Sequence, residues 1–521
     1  GGRRPTIEQV RSLAEALDLS EEILLAEAGM LPPDVRAVLD SVASVVTASA
    51  RQSIEADISL PRSPREDVAH ILAESVKKTC RSIKAPLMGD LKGSKGSTIY
   101  RAHSYHTKVP PETIIPFIEH FTHRGDVVLD PFCGSGMTGV AALATGRHAI
   151  LSDLSPAAVH IARNYTTPCN SKELLAAIDD LQEQMRPTMA WLYEISEPGQ
   201  ARERTEYVVW SDVYACPHCN AEWSYWDAAR GSDGHIVGTF FPCPECSVEV
   251  SKPLCTWVGE RPVEVNLSID GQKGRVIRSP NSADMALISE SDRKPIPYWK
   301  PNLPFGDWRE MWRASHRMMG INSAADFYSR RNLHALAALR HVIMMIDDDR
   351  IRNALLFAFT AIANRASRRY QWNAKRPTNV MAGTLYVSSL RYEWNVWRLF
   401  ERKARDIVRY YEQFPKESSL VDAICADATN LHHVPDGSVD FVYMDPPFGA
   451  NIFYADVSLL WDAWLSQETD RNSEIVVNKH IKTGDGGKSV ADYQALMTNA
   501  FSEVRRVLKP TGNAVLVFSN T

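Results

Sequence analysis

Asp130-Pro131-Phe132-Cys133-Gly134-Ser135-Gly136-Met137-Thr138-Gly139 is the stretch on which the reading of this chain turns. It follows a short apolar run, Val127-Val128-Leu129, and opens a helical stretch. Glycine at Gly134 and Gly136 lets the backbone turn sharply and bring its N–H groups close to a ligand at a helix N-terminus. A second run, Ala149-Ile150-Leu151, leads to Asp153 and again into helical sequence; later runs follow at Val439–Met444 and Ala514–Phe518. Short apolar runs suit buried parallel strands, and their alternation with helices predicts βαβ units in a doubly wound α/β sheet. The long stretch between the second strand and the late ones breaks the alternation and reads as an insertion.

By spacing alone, Gly134, Gly136 and Gly139 with Asp153 at the next strand end fit a nicotinamide enzyme as well as a methyltransferase. The loop after Val439–Met444 breaks the tie. It reads Asp445-Pro446-Pro447-Phe448, which has no role in a dehydrogenase. The exocyclic nitrogen of adenine is conjugated with its ring and is a poor nucleophile until its lone pair is freed. A carboxylate and a rigidly aimed carbonyl can accept its two hydrogens, and consecutive prolines fix the direction of that carbonyl. Asp445 and the Pro446 carbonyl, followed by Pro447, supply those parts. Phe448 can stack on a base flipped out of the helix.

Together, Phe132-Cys133-Gly134-Ser135-Gly136 and Asp445-Pro446-Pro447-Phe448 resemble the signature pair of the DNA amino-methyltransferases, over roughly residues 99–165 and 420–521. The resemblance implies a Rossmann-like class I methyltransferase sheet of order 3-2-1-4-5, with S-adenosylmethionine as cofactor. It places His106, Thr107, Asp130, Phe132, Gly134, Gly136, Asp153 and Asp427 at the cofactor. Asp153 would hold the ribose and Asp427, ending the third strand, the cofactor's adenine. Asp445, Pro446, Pro447 and Phe448 would be catalytic. Two departures stand out: Phe448 replaces the commoner tyrosine, and the sequence closes just after the fifth strand. The chain also resembles the zinc-ribbon-containing adenine-specific DNA methylases. That resemblance implies methyl transfer to adenine N6 of double-stranded DNA in a restriction-modification or defence setting, with partner proteins from that setting. Cytosine N4 or an RNA amino group is the alternative within the same chemistry. A non-catalytic nucleic-acid-binding regulator with a vestigial core is the alternative outside it.

Cys216-Pro217-His218-Cys219 and Cys243-Pro244-Glu245-Cys246 carry the zinc reading on their own residues. Tetrahedral zinc needs four soft ligands, and two knuckles of this spacing deliver two thiolates apiece, a closed structural site. Trp223, Tyr225, Trp226, Phe240 and Phe241 are the expected small core of this ribbon, and Cys255 is left over. From Ile351 to Tyr392 the basic residues Arg352, Arg365, Arg368, Arg369, Lys375, Arg376 and Arg391 occur without one acidic residue. This predicts a phosphate grip by Arg365, Arg368, Arg369, Lys375 and Arg376, with Tyr370 and Trp372 available to stack.

The expected domains are a helical fragment over 1–40, a helical region and linker over 41–98, and the first core half over 99–170. The zinc ribbon follows over 206–262, a mostly helical target-recognition insertion over 263–420, and the second core half over 421–521. Within the first of these, Arg4–Pro32 resembles the last helices of a Cro-repressor-like helix-turn-helix, against a plain helical appendage. With 58 Lys and Arg against 63 Asp and Glu, the chain carries a net charge of −5, so DNA contact must use a local patch rather than bulk charge. Nine cysteines in 521 residues are too few for a disulfide scaffold, and no apolar run approaches the roughly 18 residues a membrane span needs. Both point to a reducing, cytoplasmic setting.

Overall fold

The computed structural model describes residues 58, 60–78, 87, 91–196, 201–231, 236, 238–374, 380–415 and 419–517. The helix-turn-helix resemblance at Arg4–Pro32 therefore lies outside the described residues, as do Lys375, Arg376 and Phe518. Ile58–Lys294 and Lys300–Thr521 form one compact unit.

At its centre lie five parallel strands: β1 (Val127–Asp130), β2 (His148–Asp153), β3 (Val421–Cys425), β4 (Val439–Met444) and β5 (Leu508–Leu516). Their spatial order is β3-β2-β1-β4-β5. Strands β1 and β4 are buried at every position, which is why they are apolar but for Asp130 and Asp440, whose carboxylates accept hydrogen bonds inside the core. One face of the sheet packs Val127, Leu129, Val442 and Met444 against Val68 and Leu72 of the helix Glu66–Val76 and Val504 and Val507 of the helix Val490–Val507. The other carries the helices Ile115–Phe121, Met137–Thr145 and Pro156–Thr166, with Phe121 stacked on Phe441 at 5.4 Å. Three layers with helices on both faces make this a Rossmann-like class I methyltransferase fold.

Strand β5 begins six residues before the expected Ala514. Its first residues are Leu508-Lys509-Pro510, too polar to read as a strand, and the pairing with β4 shifts register between Val439 and Phe441. The buried Lys509 ammonium meets Asp440 at 2.6 Å, and the same carboxylate accepts the Val127 N–H at 3.0 Å, so a salt bridge stitches β1, β4 and β5.

The insertion between β2 and β3 is α and β together. After the helix Ser171–Tyr193, an antiparallel sheet runs Leu390–Trp394, Glu203–Ala215, Thr256–Ile269, Val276–Arg278. Thr256–Ile269 passes straight through the boundary expected at 262, so the cysteine knuckles and the helical part share one sheet. The helices Arg330–Met344, Asp349–Ala363 and Val396–Glu412 pack with Ser171–Tyr193, and Asp349–Ala363 also packs on Pro156–Thr166 of the core. Among the described residues no helix is long and apolar enough to cross a membrane.

Candidate functional site

Strands β1 and β4 are adjacent, and the connections from them leave toward opposite faces, which opens a crevice at their carboxyl ends. Asp130 closes β1. One of its carboxylate oxygens accepts the Phe132 N–H at 3.0 Å and the other the Thr138 hydroxyl at 2.5 Å, fixing the glycine loop from both sides. Gly134 and Gly136 take φ of +50° and +77°, a region costly for any other residue. At Gly134 a Cβ would lie 2.9 Å from the Tyr105 ring, and at Gly136 one would lie 2.6 Å from the Ala162 Cβ. Asp153, at the end of β2, accepts the Gly134 N–H at 2.8 Å and the Ser155 N–H at 2.9 Å. Asp427, beyond β3, accepts from the N–H and hydroxyl of Thr429, both at 2.8 Å.

These residues and the loop after β4 line one crevice of about 920 Å³, its mouth included. Thr107, Asp130, Phe132, Gly134, Asp153 and Asp427 lie along it, and Asp445 and Pro447 face it from the β4 side. Four expected residues do not line it. Gly136 serves helix packing. His106 turns away, its Nε2 3.3 Å from the Val457 carbonyl and its ring 5.1 Å from Trp461. Burial and the nearby Arg369 pull the His106 imidazole down to about 3, so it stays neutral. Pro446 is buried, and Phe448 is half-buried at the start of a turn in which Asn451 N–H bonds the Phe448 carbonyl at 3.2 Å. The Tyr493 hydroxyl donates to the Pro447 carbonyl at 2.9 Å and braces the loop.

Tyr105, Tyr443, Tyr454 and Glu474 also line the crevice. Tyr105 stacks on Trp461 at 6.0 Å and on Tyr454 at 6.5 Å, forming an aromatic wall beside Asp445. The sequence offered a signal for Tyr105, which lies one residue before His106, and none for Glu474, which stands in no motif. Burial raises Asp130 and Glu474 to about 7, and Asp153 and Asp445 to about 6. A crevice with this many carboxylates, held partly out of water, favours a cationic ligand.

Around the second candidate site, the Sγ atoms of Cys216, Cys219, Cys243 and Cys246 all lie within 4.8 Å of one another. Cys216 to Cys246 and Cys219 to Cys243 are each 3.8 Å, matching the sulfur–sulfur edge of about 3.8 Å that four zinc–sulfur bonds of about 2.3 Å produce in a tetrahedron. The knuckles are built alike: Asn220 N–H bonds the Cys216 carbonyl, and Ser247 N–H the Cys243 carbonyl, both at 3.0 Å. Asn220 and Ser247 take φ near +60°. Trp223, Tyr225 and Phe241 form the core beside them, with Trp226 and Cys255 half-buried, whereas Phe240 is 58% exposed and no part of it. These four thiols could bind zinc.

Residues 74–164 match the N6/N4 methyltransferase family model, described as DNA methylase. The chain is also 40% identical, over 87 residues, to the Escherichia coli (strain K12) protein named "Putative methylase YubD". That alignment covers 16% of this chain and 35% of the relative, so the chain spans about a third of the relative's length. No solved structure matches. The matches support a DNA methylase. The family match covers the glycine loop and Asp153, and stops well before Asp445.

For a methylase, the placement of the basic stretch matters. Arg368 ion-pairs with Glu260 at 2.8 Å, and its side chain is 13% exposed. Arg369 is buried and donates to Asn364 and to the Met381 and Thr384 carbonyls. Arg391 is buried between Asp212 and Glu260. Tyr370 is core, packed on Tyr392 and Trp394. The stretch is thus not one solvent-facing surface, because acids distant in sequence fold back onto it. Arg365 faces a separate cavity.

Proposed function

We propose that the protein is an S-adenosylmethionine-dependent DNA methyltransferase acting on adenine N6 of a flipped-out base, in a restriction-modification or defence setting. The observation that carries this reading is the meeting of two loops in one crevice. Gly134 and Asp153 stand on one side and Asp445 on the other.

The donor-side residues fit the cofactor's chemistry: Asp153 is placed for ribose hydroxyls, and the acidic lining suits a molecule that carries a sulfonium and an ammonium. When bound, the cofactor supplies an activated methyl group. On the acceptor side, the Asp445 carboxylate and the Pro446 carbonyl accept the two amino hydrogens, which frees the nitrogen lone pair toward the donor. Asp445 then stabilises the positive charge that builds on the nitrogen and takes up a proton as it leaves. Tyr454, which lines the crevice beside Asp445, is the ring placed to stack on the base, Phe448 lying outside the lining. The thiolates Cys216, Cys219, Cys243 and Cys246 would hold one structural zinc, with no open position for catalysis.

Incubation with plasmid DNA and isotopically labelled S-adenosylmethionine, followed by nucleoside mass spectrometry, tests the reading. Labelled N6-methyl-2′-deoxyadenosine supports it. Label at cytosine N4 moves the acceptor within the same chemistry; a parallel incubation with total RNA covers an RNA amino group, and no label in either favours a vestigial core.

A further inference from the structure

We infer that a basic cavity adjoining the crevice grips the phosphates of the DNA strand that carries the flipped nucleotide. This rests on the DNA methyltransferase reading and assigns its strand-binding site.

The cavity lies on the far side of Tyr105 and Trp461 from Asp445. Both rings line it, and Tyr105 lines the crevice as well, so one aromatic wall separates the two spaces. It holds about 1510 Å³, its mouth included. Its rim and walls carry Arg101, Arg365, Arg369, Arg402, Lys403 and Arg409, and Asp406 is the only carboxylate among the described lining residues. Arg402, Asp406 and Arg409 fall on one face of the helix Val396–Glu412, four and three residues apart. Asp406 is spent on Arg409, and Lys403 donates to the Arg101 carbonyl at 2.7 Å.

Such a cluster is unfavourable alone. Burial and the neighbouring Arg365 pull the Lys403 amine down to about 8. A chain with a net negative charge that gathers cations this closely has built a site for a polyanion. One phosphate would need two or three of these groups, whereas a strand threading the cavity engages several in succession. A nucleotide extruded from that strand has only the Tyr105 wall to pass before its base reaches Asp445. The grip thus combines the end of the insertion and the segment before the glycine loop with Arg365 and Arg369 from the acid-free stretch at 351–392.

The test uses the full chain with Arg402→Ala and Arg409→Ala combined, both positions being exposed. Binding to a short random-sequence duplex is measured across a salt series, and cofactor-site integrity by titration with S-adenosylhomocysteine. The double variant should lower the salt slope by about 1.8 and the affinity at 0.1 M salt by about sixtyfold, at about 0.9 of slope per contact. Homocysteine-product binding should not change. Arg186→Ala, on the exposed face of the helix Ser171–Tyr193, is the control and should leave DNA affinity as it was. Unaltered DNA binding by the double variant, or an equal loss in the control, overturns the cavity while the methyltransferase reading stands. A wild-type chain that binds neither the duplex nor the cofactor product overturns both.

Discussion

Replacing Asp445 with asparagine removes one negative charge and little volume, so its consequences follow from charge alone. The carboxyl is raised to about 6 because burial penalises its ionised form. At pH 7 about ten carboxyls in eleven are ionised and able to accept from an amino group, and at pH 5 only about one in eleven. At saturating cofactor the wild-type methyl-transfer rate should therefore fall about tenfold from pH 7 to pH 5. Asp445→Asn should lose about a hundred- to a thousandfold in that rate, the range for removing one preorganised electrostatic group, and should lose the pH dependence with it. Stability should move the other way. The folded state holds the Asp445 proton more tightly than the unfolded chain does, so stability is lost as pH rises from about 4 through about 6. At pH 7 the asparagine variant should then melt no lower than wild type. Single-turnover transfer, thermal melts and S-adenosylhomocysteine titration measure the three quantities. A variant that keeps the acid limb, or one that loses cofactor-product binding while its residual rate stays high, would refute the acceptor-side role.

Asp153→Asn should behave in the opposite sense, weakening cofactor affinity while leaving the rate at saturation nearly unchanged; calorimetric titration separates the two. Elemental analysis should find one zinc per chain, and Cys216→Ser should lose the metal and lower the melting temperature of the ribbon and its shared sheet. Gly136→Ala must place a Cβ 2.6 Å from that of Ala162 at φ +77°, so chemical denaturation should show a loss of about 3 kcal/mol or more.

Much of the fold was legible because the physics of a buried parallel strand leaves a local trace. Val127–Asp130 and Val439–Met444 are buried on both faces and so apolar but for Asp130 and Asp440, and a loop that turns at positive φ must carry Gly134 and Gly136. The four cysteines are equally local, two to a turn. Where satisfaction of a polar group comes from far along the chain, the trace disappears. The start of β5 hides behind Lys509 because its partner is Asp440 on another strand. Glu474 enters the crevice by accepting the Ala455 N–H from another part of the chain, a bond no spacing announces. His106 lies off the crevice although its neighbours Tyr105 and Thr107 line it, because the chain turns at His106–Thr107 and carries its ring to the Val457 carbonyl and Trp461.

Charge is the property that sequence reports least faithfully. Between Ile351 and Tyr392 the absence of acids suggested an open basic surface, yet Glu260 and Asp212 come from the neighbouring strands of the insertion sheet to neutralise Arg368 and Arg391. Conversely, Arg402 and Arg409 sit in a helix where five basic residues are interleaved with three acids, Glu401, Asp406 and Glu412, so the excess along the chain is small. Their role follows from topology. An insertion that leaves after β2 must return to the same sheet at β3, so its final helix is bound to run along the core. Here Val396–Glu412 packs against Thr98–Ala102, the segment that leads directly into Tyr105 and Thr107 of the crevice. The connection that closes the fold is thus also the one that brings cations to the wall of the crevice.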